Sequence, residues 1–141
     1  FGSFVVPTSG SRTVSANGNI SDSGLFAVGS NASGPAQFTV TYDRGNESGR
    51  SISISLLLLL ASSPPVAIDG VSGTLSAFDT DLPGIAALRP GQAAQFTMSN
   101  CVQRRCSQTF HVGGRLDVSR SSGGATLVIP LPVNATLLAV F

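Results

Sequence analysis

Two cysteines are the residues in this sequence whose spacing most clearly points to chemistry. Cys101 and Cys106 enclose four residues between two segments in which apolar and polar residues alternate. Residues that face each other at the base of such a hairpin lie about 4.5–5.5 Å apart, which suits a disulfide. The spacing is not the CxxC of a redox site and supplies only half of a zinc site. We expect a structural disulfide, with two free thiols as the alternative. The bond would indicate an oxidising compartment such as the periplasm or cell surface.

The remaining candidates for catalysis or metal binding are isolated along the chain. His111 lies in an alternating segment that places it on the solvent face. Asp79 and Asp81, with Asp69 upstream, could contribute to a calcium site, but the EF-hand spacing and its closing glutamate are missing. The sequence has no nucleophile elbow, phosphate-binding loop or dinucleotide motif. We therefore expect no enzyme, no metal and no cofactor.

The charge of the chain limits its partners. Only 11% of the residues are charged and the net charge is +1, so there is no electrostatic basis for binding nucleic acid. Arg104 and Arg105 form a small basic loop tip, which is either solvated or in contact with an anionic glycan or a neighbouring subunit. The longest apolar run, 56–61, is too short to span a membrane. A surface so poor in charge is expected to be covered in part by neighbouring subunits.

The elements that position these residues are predicted to be strands. Apolar residues alternate with polar ones in 37–42, 51–56 and 109–112, and turn residues separate these segments. Many short strands at this spacing predict an all-β fold, either an antiparallel β-sandwich or a barrel. We expect a single domain over 1–141. The least regular stretch is 79–88, where a single helical turn would fit.

The C-terminal segment 126–141 is predicted to be a long strand or an assembly segment. Such a strand would exceed the usual ~5–6 residues. One interpretation is a bend near Pro130–Asn134, with the strand crossing between sheets. The other is that part of the segment completes a neighbouring molecule by strand addition. The residues that alternation places on its apolar face include Leu127, Ile129, Leu131, Val133, Leu137 and Phe141.

The N-terminal segment is a second candidate for an assembly edge. Phe1, Phe4 and Val6 enter the fold with no lead-in residues, so an edge strand could be missing here. An incomplete sandwich would expose apolar core and unpaired backbone unless a partner filled the gap. Any signal peptide is expected to lie outside these residues.

Several short motifs resemble a bacterial domain family of unknown function found in secreted, fimbria-like proteins of Gram-negative bacteria. Residues 1–7 and 13–15 are similar to its DFGxxxV…TVTV signature, and 24–30 with 36–40 to its GGVTLVGG…AxFTVTG block. Residues 112–118 resemble its VGGTLTV strand. The resemblance implies an immunoglobulin-like sandwich, export and a surface location, and it supplies no catalytic residues.

The chain departs from that family at both termini, where donor-strand pili exchange strands. Members usually carry an apolar strand before the Phe-Gly motif, which is absent here. They usually close with a strand rich in Thr and Tyr, whereas 127–141 is longer and more apolar. In view of the resemblance, the Asn-x-Ser/Thr sequons at Asn31, Asn46 and Asn134 are expected to be chance matches.

Two functions follow as hypotheses. The first is a structural subunit of an extracellular bacterial filament, exported through the periplasm. It would polymerise with copies of itself by strand exchange or addition, and a secretion or assembly machinery would be a further partner. The alternative is a secreted surface adhesin or carbohydrate-binding module, which would need an exposed aromatic platform. The chain has no Trp, one Tyr (Tyr42) and eight Phe, most of them placed inward by alternation.

Overall fold

All regular secondary structure in the computed structural model is β. The structure describes residues 1–29, 33–45 and 49–141, so the sequons at Asn31 and Asn46 lie outside the described residues. The strands are β1 Phe4–Val5, β2 Ser9–Val14, β3 Ile20–Ser23, β4 Phe26–Ala27, β5 Ala36–Asp43, β6 Ile52–Leu60, β7 Val66–Ile68, β8 Val71–Thr80, β9 Ala87–Leu88, β10 Ala93–Cys101, β11 Arg105–Arg120 and β12 Val133–Val140. No helix in these ranges could cross a membrane. The stretch 79–88 has no helical turn, because β9 folds back and pairs with the end of β8.

The strands assemble into antiparallel sheets, which confirms the predicted β-sandwich. The larger sheet has the order β3-β2-β11-β8-β7, with β5 paired to β11 and β9 to β8. The smaller sheet has the order β10-β6-β12, and β1 pairs with β4 as a separate two-stranded ribbon. The long strand β11 pairs with β5 through its first half and with β2 through its second half.

The first core lies between the smaller sheet and the β5–β11 part of the larger one. Alternation along β6 buries Ile54, Leu56, Leu58 and Leu60, as the sequence predicts for the first two. From the other sheet, the ring of Phe110 stacks on Phe38 with centroids 5.6 Å apart. Such pairs contribute about 0.5–1.5 kcal/mol beyond the area that they bury.

The second core is smaller and lies under the terminal segments. Its buried members come from the N-terminal residues, from β8 and from the second half of β11: Val6, Leu25, Val71, Leu116 and Val118. Phe1, Phe4, Leu75, Leu127 and Ile129 pack against them and are only partly buried. Residues 1–4 and 127–129 therefore form a partly exposed side of this core.

The predicted disulfide is present, but it does not close a hairpin. Cys101 ends β10 and Cys106 lies at the start of β11, with a Cα–Cα distance of 5.8 Å. The expectation that these strands face each other in one sheet is wrong, because β10 pairs with β6 whereas β11 pairs with β5, β2 and β8. The bond therefore joins the two sheets at one end of the sandwich.

Candidate functional site

An apolar groove lies between the two terminal segments and is called the terminal groove here. Its volume is about 760 Å³, and its floor is formed by Val71, Leu75, Leu116 and Val118. Residues 1–6 line one side, called the N-terminal wall, and residues 123–129 line the other, called the C-terminal wall. Both segments that the sequence singles out as assembly edges thus border one cavity.

The N-terminal wall is held from one side only. Within β1, Phe4 lies opposite Ala27 and Val5 opposite Phe26, and the N–H of Val28 donates to the carbonyl of Ser3 at 3.2 Å. Among the described residues, β1 pairs with β4 alone. The second edge of β1 therefore has no partner strand on the side of the groove.

A buried arginine fixes this wall on the sandwich. The Nε and Nη2 atoms of Arg12 donate to the two carboxylate oxygens of Asp22 at 2.7 and 2.8 Å, and Nη1 donates to the carbonyl of Phe1 at 2.7 Å. The guanidinium also lies 5.1 Å from the ring centroid of Phe4, a cation–π distance. The hydrogen bonds from Arg12 lower the pKa of Asp22 below its usual range. The sequence pattern does not relate Arg12 to Asp22. The available signal is that Arg12 lies on the same strand face as the apolar Val14.

The C-terminal wall belongs to a stretch that crosses from one core to the other. Leu127 and Ile129 pack on the second core, whereas Leu131 and Val133 pack on the first. The intervening residues 126, 128, 130 and 132 are exposed, so half-buried and exposed residues still alternate although 124–132 pairs with none of the described strands. This is the bend that the sequence allows near the two prolines.

A glycine in β8 makes room for the C-terminal wall. A Cβ atom on Gly73 would lie 2.9 Å from Cδ1 of Leu127 and 3.2 Å from Cδ1 of Ile129. Both distances are shorter than ordinary carbon–carbon contacts of about 3.5–4.0 Å. The absence of a side chain at Gly73 therefore allows the wall to lie directly against β8.

The last part of the predicted assembly segment lies outside the groove. β12 is an edge strand that pairs only with β6. It leaves Leu137, Leu138 and Val140 between 42% and 47% exposed, and Phe141 beyond it is 71% exposed. The predicted set is thus divided between the groove, the first core and an exposed sheet edge.

The candidates for acid–base or metal chemistry do not form a site. Asp81 accepts hydrogen bonds from the N–H of His111 at 2.6 Å and contacts its Nδ1 at 2.7 Å, and these contacts lower the pKa of Asp81. His111 is partly exposed, as predicted, but its carboxylate partner was not predicted. Asp79 instead accepts from the N–H of Ala16 at 3.0 Å, and Asp69 lies in the β7–β8 turn. The described part of the chain brings no three metal-ligating side chains together.

The residues named for an adhesin either form an exposed ion pair or pack against the first core. Arg104 and Arg105 both contact the carboxylate of Asp43, at 3.4 and 3.2 Å. The Gly45 N–H and these two arginines lower the pKa of Asp43. Tyr42 packs half-buried against the first core. These residues therefore offer no aromatic platform for a sugar.

A polar depression of about 460 Å³ lies on the outer face of the strands that floor the groove. Its lining includes Ser72, Thr74, Arg115, Asp117 and Ser119. It supplies hydroxyl groups and an ion pair but no ring on which a sugar could stack.

Comparison with known proteins places the chain in a family without assigning it an activity. The model of a family described as a domain of unknown function, DUF4402, matches residues 1–127. No curated protein and no solved structure matches the chain. The match includes both walls of the terminal groove up to Leu127 and ends before β12.

Proposed function

The chain belongs to the DUF4402 family, and we propose that it is a non-catalytic structural subunit of an extracellular bacterial filament, joined to copies of itself by strand addition. The observation that carries this proposal is the terminal groove, whose two walls are the two predicted assembly segments. Its apolar floor is open between walls that each lack a partner strand on that side.

The groove supports the proposal because it is an unfinished part of the sandwich. Unpaired strand edges pair readily with another chain, and native proteins usually cover or charge them. Here the floor residues Val71, Leu75, Leu116 and Val118 are apolar, and Arg120 is the charged residue of the lining. An added strand would cover the floor and pair with the free edges.

The edge strand β12 supports the proposal because it is the complementary part that could bind to another subunit. Large apolar side chains are exposed at 137, 138, 140 and 141, and residues 133–141 carry no charged side chain. Contiguous exposed apolar surface commonly marks a protein–protein contact. A subunit with both an open groove and an exposed apolar strand has the two complementary parts that a polymer requires.

The disulfide and the composition agree with an extracellular location. Disulfides persist mainly in secreted and periplasmic proteins. With only 11% charged residues, the chain has little of the charged surface that keeps a free monomer soluble. Export through the periplasm and coverage by neighbouring subunits would account for both features.

The first test is the mass of the purified protein at rising concentration, measured by light scattering with electron microscopy of the same samples. We expect polymers with a regular repeat. Leu137→Arg should raise the concentration needed for assembly by about tenfold or more, since about 1.4 kcal/mol corresponds to a factor of ten. Val102→Arg is the matched control, because Val102 and Leu137 are both 46% exposed and Val102 lies in the β10–β11 loop. A protein that stays monomeric at every concentration would contradict the proposal.

A further inference from the structure

We propose that the terminal groove accepts one defined segment, residues 135–141 of a second copy, as an extra strand between β1 and the C-terminal wall. This inference rests on the proposed function and deepens it, because it assigns donor and acceptor to named residues. Three features of the structure lead to it: the direction of the free backbone groups, the match in length and polarity, and the poor burial of β12.

The N-terminal wall directs free backbone groups toward the groove. Because Ser3 accepts from Val28, the odd-numbered residues of this segment face β4. Backbone groups of successive residues in a strand point to opposite edges. The N–H and C=O of Phe4 therefore face away from β4, toward the groove.

The C-terminal wall presents its free groups in the same way. The carbonyl of Pro132 accepts from the N–H of Ala61 at 3.0 Å, and that of Pro130 accepts from the hydroxyl of Ser63. Even-numbered residues of this extended stretch therefore face the segment 61–63 that follows β6. Alternation along the backbone then turns the N–H groups of Ala125, Leu127 and Ile129 to the opposite edge, which borders the groove. The two prolines lack donors only on the side of 61–63, so the edge that borders the groove keeps its donors.

Residues 135–141 match the groove in length and polarity. At ~3.3 Å per residue, this segment spans about 23 Å, the six residues of the N-terminal wall about 20 Å and the seven residues of the C-terminal wall about 23 Å. The segment is uncharged, as is the floor of the groove. Leu137 and Phe141, spaced by the small Ala139, would lie on one face, as the apolar floor requires.

The pairing of β12 with β6 of its own molecule is weak enough for the strand to move to another copy. Seven of its eight residues are exposed, so leaving β6 uncovers little of the strand's own side-chain surface. At home the strand pairs along one edge only. Between the two walls of another copy it would pair along both edges and would also cover an apolar floor.

The test uses the full chain and a fluorescent peptide of residues 134–141 with two added N-terminal arginines for solubility. Binding is measured by fluorescence anisotropy, at protein concentrations below any assembly. The control peptide carries N-methyl groups at Leu137 and Ala139, which keep the side chains but remove two donors. We expect the control to bind at least tenfold more weakly. On binding the unmodified peptide, amide hydrogen exchange should slow within 1–6 and 124–129.

Two protein variants locate the binding edge. Ala125→Pro removes a donor that faces the groove, whereas Thr126→Pro removes one that faces the opposite edge, and both residues are exposed and unpaired. We expect Ala125→Pro to weaken peptide binding at least tenfold and Thr126→Pro to leave it within twofold. Equal effects of the two variants would overturn the inference.

The remaining outcomes separate this inference from the proposed function. Slower exchange in 52–60 instead of the groove walls would show that the peptide competes for the β6 edge, and the inference would be wrong. Filaments without peptide binding would also overturn it while the proposed function stood. Peptide binding at the groove by a protein that never polymerises would uphold the acceptor site and refute the filament.

Discussion

At the scale of single residues, the Arg12–Asp22 pair decides how the N-terminal wall is held. Arg12 is only 3% exposed, yet each of its three guanidinium nitrogens donates a hydrogen bond to Asp22 or Phe1. Removing one partner of a buried charge leaves the other uncompensated, which is why such pairs are costly to break. The pair therefore links β2, β3 and the first residue of the chain.

The pair makes stability depend on pH in a defined direction. Because the pKa of Asp22 is lowered in the folded state, its contribution is complete above the ordinary Asp pKa of about 3.9 and is lost as pH falls through the lowered value. We expect Asp22→Asn to lower the free energy of unfolding by about 1.5–3 kcal/mol near pH 7, the range for hydrogen bonds to charged groups. The variant should then lose less than wild type on acidification.

The measurement is urea unfolding followed by circular dichroism at a series of pH values. Asp117→Asn is the control, since the Arg115–Asp117 pair at 3.0 Å is solvent-exposed and such pairs contribute about 0–1 kcal/mol. Parallel pH profiles for wild type and Asp22→Asn would contradict the assigned role of Asp22.

At the scale of elements, the stretch 124–132 is the part of the fold most open to change. It holds its place by side-chain packing at alternate residues and by carbonyl contacts near its C-terminal end, and it lacks a partner strand. Segments with few backbone hydrogen bonds open locally at low free energy. The C-terminal wall should therefore be among the first parts of the protein to exchange amide hydrogens.

Gly73→Val tests whether close packing on β8 holds this wall. The added side chain would meet Leu127 and Ile129, and overpacking of this kind costs about 1–3 kcal/mol. We expect faster hydrogen exchange across 124–129 with little change at β6. Thr74→Val, on the exposed face of the same strand, is the matched control and should leave exchange in the wall unchanged. Equal exchange in both variants would mean that the wall does not depend on this contact.

At the scale of the whole molecule, the disulfide joins the smaller sheet, at β10, to the larger sheet, at β11. These two strands do not pair with each other. A bridge over a separation of 5 residues should contribute about 2 kcal/mol through chain entropy. We expect the double variant Cys101→Ala with Cys106→Ala to fold and to unfold at a lower urea concentration by that amount. Reduced wild type is the control, because it lacks the bridge but keeps the side chain of the buried Cys101. If the two sheets of the double variant unfold in separate transitions, the bridge is required for the cooperative unfolding of the sandwich.

Strand positions and the disulfide could be predicted because both depend on neighbours along the chain. Alternation over a few residues identifies which side chains share a face, as at Ile54 and Leu56, and a short cysteine spacing limits the partners of Cys101 to Cys106. The same reasoning singled out both predicted assembly segments, although nothing local shows that they border one groove. The bend after Ile129 was one of two interpretations that the prolines left open.

The amino-acid sequence by itself determined the class of the fold, the inward faces of most strands and the cysteine pair, because these follow from chain stereochemistry and local spacing. Only the tertiary structure decided that β10 and β11 enter different sheets, that Arg12 pairs with Asp22 and that His111 pairs with Asp81. It also placed Phe1, Phe4 and Val6 across a groove from Leu127 and Ile129. Each of these contacts joins residues that the sequence does not relate, and their proximity depends on how complete strands pack, which no local pattern specifies.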